Sequence, residues 1–223
     1  MTGLHVTVPI ACFRKGMARE YLETEDLPPP STCYGFLLSL VGETDRRKHL
    51  GCRVTAGLLN GTERSVVLRT VWRVKKAPLG SAGNTRPDYQ QLLTGASGSR
   101  PFVELVVWLD SSDESRPEVD RLESRVHAAL DPTRRAHVSR FGGLCLGEST
   151  HLVDSVSRLT EPLIGRLAER TCRIFLLNDQ GRMTLPVWVD HVGSAGTRHA
   201  VGDLVEHDLS SPPLEQIPII PSL

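Results

Sequence analysis

The alternation between strand-like and helix-like hydrophobic periods over the first 160 residues is what most narrows the folds open to this chain. Leu4-His5-Val6-Thr7-Val8 alternates with a period of two, the pattern of a strand lying inside a sheet. Cys33, Phe36, Leu37, Leu40 and Val41 then recur at helical spacing, a stripe for packing on that sheet, with Ser31 or Thr32 as N-cap and Gly42 as stop. Pro28-Pro29-Pro30 ahead of them holds the chain extended. Val54 to Leu59, Val66 to Val74 and Phe102 to Leu109 read as strands. Pro117 opens a second helix that runs to Leu130, with Val119, Leu122, Val126 and Leu130 as its buried stripe. A glycine loop at Phe141-Gly142-Gly143 and a strand from His151 to Val156 complete the series.

With the β-rich segments Val54 to Leu59 and Val66 to Val74 leading into a long basic insertion, the order is strand, helix, strand, insertion, strand, helix, strand. A ferredoxin-like or RRM-like βαββαβ sheet with two helices on one face requires this order, so the fold class expected is α+β. Between Val74 and the strand that begins at Phe102, Lys76 to Arg100 is rich in Gly, Ser, Asn, Pro and Thr and is basic. Compact folds join neighbouring strands in a few residues, so a segment of this length is expected to form an arm, over about 76–101. Cys172 to Leu177 and Leu185 to Val192, separated by Asn178-Asp179-Gln180-Gly181, read as a hairpin. The last residues, from Ser210 to Pro221, read as a proline-rich surface tail. These boundaries give an RRM-like domain over 1–160 and a small β-rich appendage over 161–223.

Net charge is zero, with 26 Lys and Arg against 26 Asp and Glu, which excludes a generic polyanion-coating protein. The distribution is uneven. Arg64, Arg69, Arg73, Lys75, Lys76, Arg86 and Arg100 share a stretch whose only acid is Asp88, whereas the chain beyond Arg198 carries Asp203, Glu206, Asp208 and Glu215 with no Lys or Arg. The basic stretch either holds phosphates or is the solvated face of a strand. Arg46-Arg47-Lys48 is read as complementing the negative end of the first helix. The five cysteines are scattered and never paired as C-x-x-C, so neither a disulfide framework nor a zinc site is expected, and a reducing cytoplasm fits. Apolar runs such as Phe36 to Val41 are too short to span a bilayer, so no membrane association is expected.

Catalytic fingerprints are absent from the spacing. Gly142-Gly143-x-x-x-Gly147 lacks the Gly-Lys-Ser/Thr ending of a P-loop, and Gly95-Ala-Ser-Gly-Ser is not a nucleophile elbow. The histidines form no metal-ligand motif, and Asp190-His191 reads as a strand-edge pair. No cofactor or metal is expected. Acid–base cleavage of RNA needs neither, so His137, His151, Tyr34 and Tyr89 stay open as participants.

Four segments carry a family likeness: Leu27-Pro-Pro-Pro-Ser-Thr-Cys-Tyr-Gly-Phe-Leu-Leu-Ser-Leu-Val-Gly-Glu43, Arg69-Thr-Val-Trp-Arg-Val-Lys-Lys76, Gly83 to Leu93, and Arg140-Phe-Gly-Gly-Leu-Cys-Leu-Gly-Glu148. Together they resemble the CRISPR-associated Cas-five family, in its DevS-type (Myxan) branch. The resemblance implies an RRM-like domain with a β-hairpin thumb, and a non-catalytic subunit of a type I Cascade ribonucleoprotein that caps the 5′ handle of the crRNA. It also implies two protein neighbours, a backbone (Cas-seven) subunit and a large (Cas-eight-type) subunit. Under it, Arg69, Arg73, Lys75 and Lys76 meet phosphates, Asn84, Arg86 and Tyr89 meet bases or a neighbouring subunit, and Arg140, Gly142 and Gly143 meet the handle. Arg14, Lys15 and Arg19 bind RNA or line a subunit contact. Trp72 and Trp108, inside strands, are read as core. A metal-independent endoribonuclease that processes precursor crRNA and a protein-only interaction module are the alternatives.

Overall fold

A computed structural model describes residues 1–16, 21–73, 84–98, 100–116, 120–167 and 170–221, with backbone alone for 70–73 and 84–87. The strands are β1 (Thr2–Val8), β2 (Phe13–Arg14), β3 (Tyr21–Leu22), β4 (Thr24–Glu25), β5 (Arg53–Leu58), β6 (Thr62–Arg73), β7 (Asn84–Gly95), β8 (Val103–Asp110), β9 (Ser155–Arg158), β10 (Cys172–Leu177), β11 (Met183–Trp188) and β12 (Arg198–His207). The helices are α1 (Pro30–Leu40), α2 (Leu122–Leu130) and α3 (Glu161–Leu167). The chain is thus α+β and dominated by sheet. Seven strands form one sheet in the order β11-β12-β10-β5-β8-β1-β9, and every pairing within it is antiparallel.

Strand alternation sorts side chains onto two buried faces. Leu4, Val6 and Val8 of β1 join Val54, Ala56 and Leu58 of β5 and Leu105, Val107 and Leu109 of β8 on the face that α1 and α2 cover. Val106 and Trp108 point the other way, against Cys172, Ile174, Leu176, Leu209 and the apolar side of α3. All eight residues of β8 are buried, which is why its sequence is nearly continuous in apolar residues. Gly57 permits the second layer to close: a Cβ there would stand 2.9 Å from Cys172 Sγ and 3.2 Å from the Trp108 ring.

Helix α1 begins three residues earlier than its apolar stripe indicates. Pro30 is its first residue and Pro29 its N-cap, since a first-turn position needs no N–H partner and proline's fixed φ suits it. Ser31 and Thr32 lie within the helix and make no side-chain cap. Gly42 ends it as expected, at φ +69°, with Glu43 N–H donating to Leu38 O at 2.9 Å and Gly42 N–H to Ser39 O at 3.2 Å. Helix α2 starts at Leu122 rather than Pro117, and residues 117–119 lie outside the described residues. The strand expected at His151 to Val156 is displaced to Ser155–Arg158, because Leu152 is taken up in a bridge to Cys145.

The C-terminal third departs most from its sequence pattern. β10 and β11 do not pair with each other; β12, which alternation alone does not reveal, lies between them. The proline-rich end is no loose tail. Ile220 exchanges hydrogen bonds with residues 51 and 52 (Gly51 N to Ile220 O and Ile220 N to Cys52 O, both 2.8 Å), Val54 N–H donates to Pro218 O at 3.0 Å, and the Ile217 and Ile220 side chains are wholly buried. Prolines set the extended backbone, and the isoleucines between them supply the anchor.

β6 and β7 pair in unbroken register from Thr62↔Gly95 to Arg73↔Asn84, with β3 added in parallel beside β7. The arm is therefore a hairpin that starts at Thr62, fourteen residues before the basic segment expected at 76. Its root is held by Asn60, whose Oδ1 accepts from Glu104 N–H at 2.9 Å and whose Nδ2 donates to Phe102 O at 2.8 Å.

Candidate nucleic-acid interface

Two adjoining depressions of about 520 and 500 Å³ run along the outer side of α1 and form one groove. Its floor is the small or hydroxyl-bearing side of the helix, Ser31, Thr32, Gly35, Ser39 and Gly42. One wall is the loop from Phe141 to Glu148, and the other is the turn after β11, with Val189, His191, Ser194 and Thr197. Arg14 and Glu25 stand at the end nearest the helix N-terminus, where the helix dipole favours negative charge. Burial lifts the Glu25 carboxyl above its ordinary value, against the pull of Lys15.

The loop wall is fixed by close backbone contact. A Cβ on Gly42 would lie 1.8 Å from Ser139 O, and one on Gly147, at φ +94°, 2.5 Å from Cys12 O. Val153 N–H donates to Leu144 O at 2.9 Å, tying the loop to the segment that follows it. Gly142 takes φ +75°, a conformation that L side chains avoid, whereas Gly143 is hemmed by the Leu152 side chain. Arg140, Gly142 and Gly143 are all exposed at the far end of this wall.

The hairpin cations are less free than their sequence spacing implies. Arg69 Nη2 contacts Asp88 Oδ2 at 3.0 Å and Gln90 Oε1 at 2.9 Å, and Arg64 pairs with Asp26 at 2.5 Å. Tyr89 packs on Tyr21 with ring centroids 6.0 Å apart, and its hydroxyl accepts from Gln91. Arg73, Asn84 and Arg86 occupy strand positions at the far end of the hairpin. Lys75, Lys76 and Arg19 lie outside the described residues, as do the side chains of Arg73, Asn84, Arg86 and Trp72. Lys15 is exposed beside Arg14, its N–H donating to Glu23 O at 2.8 Å.

The basic run after α1 is structural. Lys48 and Arg125 grip Glu43 at 3.0 and 2.7 Å; burial opposes the charge, but these partners and the Asp45 N–H hold the Glu43 carboxyl at about 2. Arg125 Nη1 donates on to His49 Nε2 at 2.9 Å, so His49 offers its Nδ1 proton to Glu114 at 2.8 Å and α1 is tied to α2. Arg46 stacks over Trp188 at 4.3 Å and donates to Val189 O, positioning the groove's second wall.

The acid–base candidates do not converge. Tyr34 is buried and donates to Arg46 O at 2.8 Å, with burial raising its pKa far above the phenol range. His137 is exposed on a short 3-10 turn. Burial holds half-buried His151 below the ordinary imidazole value, with Glu148 opposing and Arg69 adding to the depression. Trp108 is core, as expected. Ser31, Thr32, His191 and His199 of the groove were not legible as site residues, because helix and turn face each other only in the fold. Arg134 and Arg135 carried a signal, an acid-free basic run that continues to His137 and Arg140, but were not among the expected RNA contacts. Among the described residues no group of three His, Cys, Asp or Glu side chains could hold a metal ion, and no helix is long and apolar enough to cross a membrane.

No family model matches the sequence. A protein of Myxococcus xanthus (strain DK1622) named CRISPR-associated protein Cas5 is 51% identical over 223 residues, covering 99% of this chain and 97% of that protein. A chain from a CRISPR RNA-guided surveillance complex superposes with a TM-score of 0.54 at 14% identity, over 96% of this chain and 95% of the other, which shows a shared fold. A Cas protein crystal structure superposes at a TM-score of 0.46 and 16% identity, over 98% and 97% of the two chains.

Proposed function

The chain belongs to the CRISPR-associated Cas5 family, and from that premise we propose that it is a non-catalytic RNA-binding subunit of a Cascade-type surveillance complex, capping the 5′ handle of the crRNA. The strand order β5-β8-β1-β9 with α1 and α2 on one face supports a ferredoxin-like βαββαβ core, and the β6–β7 hairpin supports a thumb that meets the guide and a backbone subunit. A large subunit is the second protein neighbour in this reading. The observation that carries it is the groove along α1: a helix N-terminus, two hydroxyls and Arg14 at one end, and a rigid glycine loop with Arg140 at the other. Backbone N–H groups and arginines of this kind grip an irregular RNA end without reading a duplex.

Co-expression with the neighbouring subunits and a repeat-derived RNA, followed by protein–RNA crosslink mapping, tests the reading. Crosslinks from residues 140–147 and from the hairpin to the 5′ handle are expected. Replacing Arg14 and Arg140 by alanine should flatten the dependence of log K on log salt by about 1.4, roughly 0.7 per phosphate contact on a single strand. An intact complex without such crosslinks overturns it. His191, His199 and Glu148 line the same groove and are the groups an acid–base nuclease would use. Repeat RNA cleaved in chelator by the wild type and left whole by His191→Ala/His199→Ala would replace the capping role with processing.

A further inference from the structure

The connection from α2 to the groove wall carries Arg134, Arg135, His137 and Arg140 within seven residues and no acid among them. All four are exposed, and Arg135, His137 and Arg140 make no ion pair among the described residues. Next in the chain comes Phe141, which is fully exposed. A single apolar side chain in water needs no explanation by itself. Phe141 differs in its support. The backbone at Ser139 rests on Gly42, Leu144 is bonded to Val153 and Cys145 is bridged to Leu152, so the ring is held out on a segment anchored at both sides. Gly142, at φ +75° and with open space where a Cβ would be, turns the chain away from it. Phe141 also stands on the rim of the groove beside Ser39 and Gly42.

A preset aromatic face flanked by unpaired arginines fits a single-stranded nucleic acid: the ring takes a base regardless of identity, and the guanidinium groups take the phosphates. Aromatic and arginine side chains are also enriched at protein interfaces, so a protein contact is the competing occupant that the test separates. We propose that Phe141 is a base-stacking platform, holding one splayed RNA base at the mouth of the α1 groove while Arg140 and Arg135 neutralise the adjoining phosphates. The inference rests on the RNA-binding reading above and adds the subsite that organises the strand.

The test uses the full complex assembled on repeat-derived RNA in which 2-aminopurine replaces one handle nucleotide at a time. One position should be strongly quenched in the wild type, and Phe141→Ala should release the quenching at that position alone. The same change should weaken RNA binding roughly 5- to 150-fold, with Phe141→Trp restoring both signals. Arg135→Ala/Arg140→Ala should keep the quenched position and flatten the salt dependence by about 1.4. An unchanged thermal midpoint in Phe141→Ala is expected for so exposed a ring, and separates lost stacking from lost folding. Wild-type binding with identical affinity and quenching in Phe141→Ala overturns the stacking role and leaves RNA capping standing. Loss of a protein subunit with RNA affinity intact overturns it in favour of a protein contact. A wild-type complex that binds no RNA overturns both.

Discussion

Replacing Glu104 tests how the hairpin is held to the sheet. Its side chain is wholly buried on β8, 2.8 Å from His5 Nε2 and 2.9 Å from Arg170 Nη2, with Arg100 Nε at 3.6 Å. Burial alone would raise its pKa, but His5 and then Arg170 outweigh burial and hold it at about 2, below its ordinary 4.5. The unfolded chain therefore takes up this proton first as pH falls. The carboxylate stabilises the fold by about 3 kcal/mol above pH 4.5; roughly half of that is lost near pH 3.3 and all of it below pH 2. Glu104→Gln removes the contribution and strands Arg170 beside a neutral amide, for a loss of about 3–5 kcal/mol at neutral pH. Urea unfolding followed by tryptophan fluorescence reads both effects. The stability gap between wild type and variant should shrink by about 3 kcal/mol between pH 6 and pH 2. A gap that stays constant across that range would refute ion pairing as its origin. Because Glu104 N–H also bonds Asn60 at the hairpin root, amides of β6 and β7 should exchange faster in the variant.

Three further outcomes follow from the packing. Arg125→Ala leaves buried Glu43 with Lys48 alone and unties α1 from α2, so urea denaturation should show a loss of about 3 kcal/mol. Ile217→Ala and Ile220→Ala should each cost about 2–5 kcal/mol in the same assay, whereas a loose tail would tolerate both within about 0.5 kcal/mol. Gly42→Ala forces a Cβ into Ser139 O and should shift the glycine loop, weakening RNA retention in salt-titrated binding assays although residue 42 need not touch RNA; unchanged retention would show that loop placement is not what binds.

Much of the fold was legible in local pattern. The stripe from Cys33 to Val41 with Gly42 after it marks α1, and Cys172–Leu177 and the run ending at Leu109 mark β10 and β8, because side-chain period and backbone conformation are set within a few residues. The family likeness came from segments that include the α1 entry and the Arg140 loop, and close identity to a Cas5 protein bears it out. Tertiary structure alone decided what those elements meet. Nothing local places β12 between β10 and β11, or lays Ile217 and Ile220 along residues 51–54, since strand partners are chosen by burial across long sequence separations. The same holds for charge. Arg69 and Arg140 are equal in the sequence, yet Asp88 engages one across a strand pair while the other is left on a clamped loop next to a bare aromatic ring. A residue's type limits the chemistry it can perform, but whether it is free to perform it depends on which side chains the fold brings within a few ångströms.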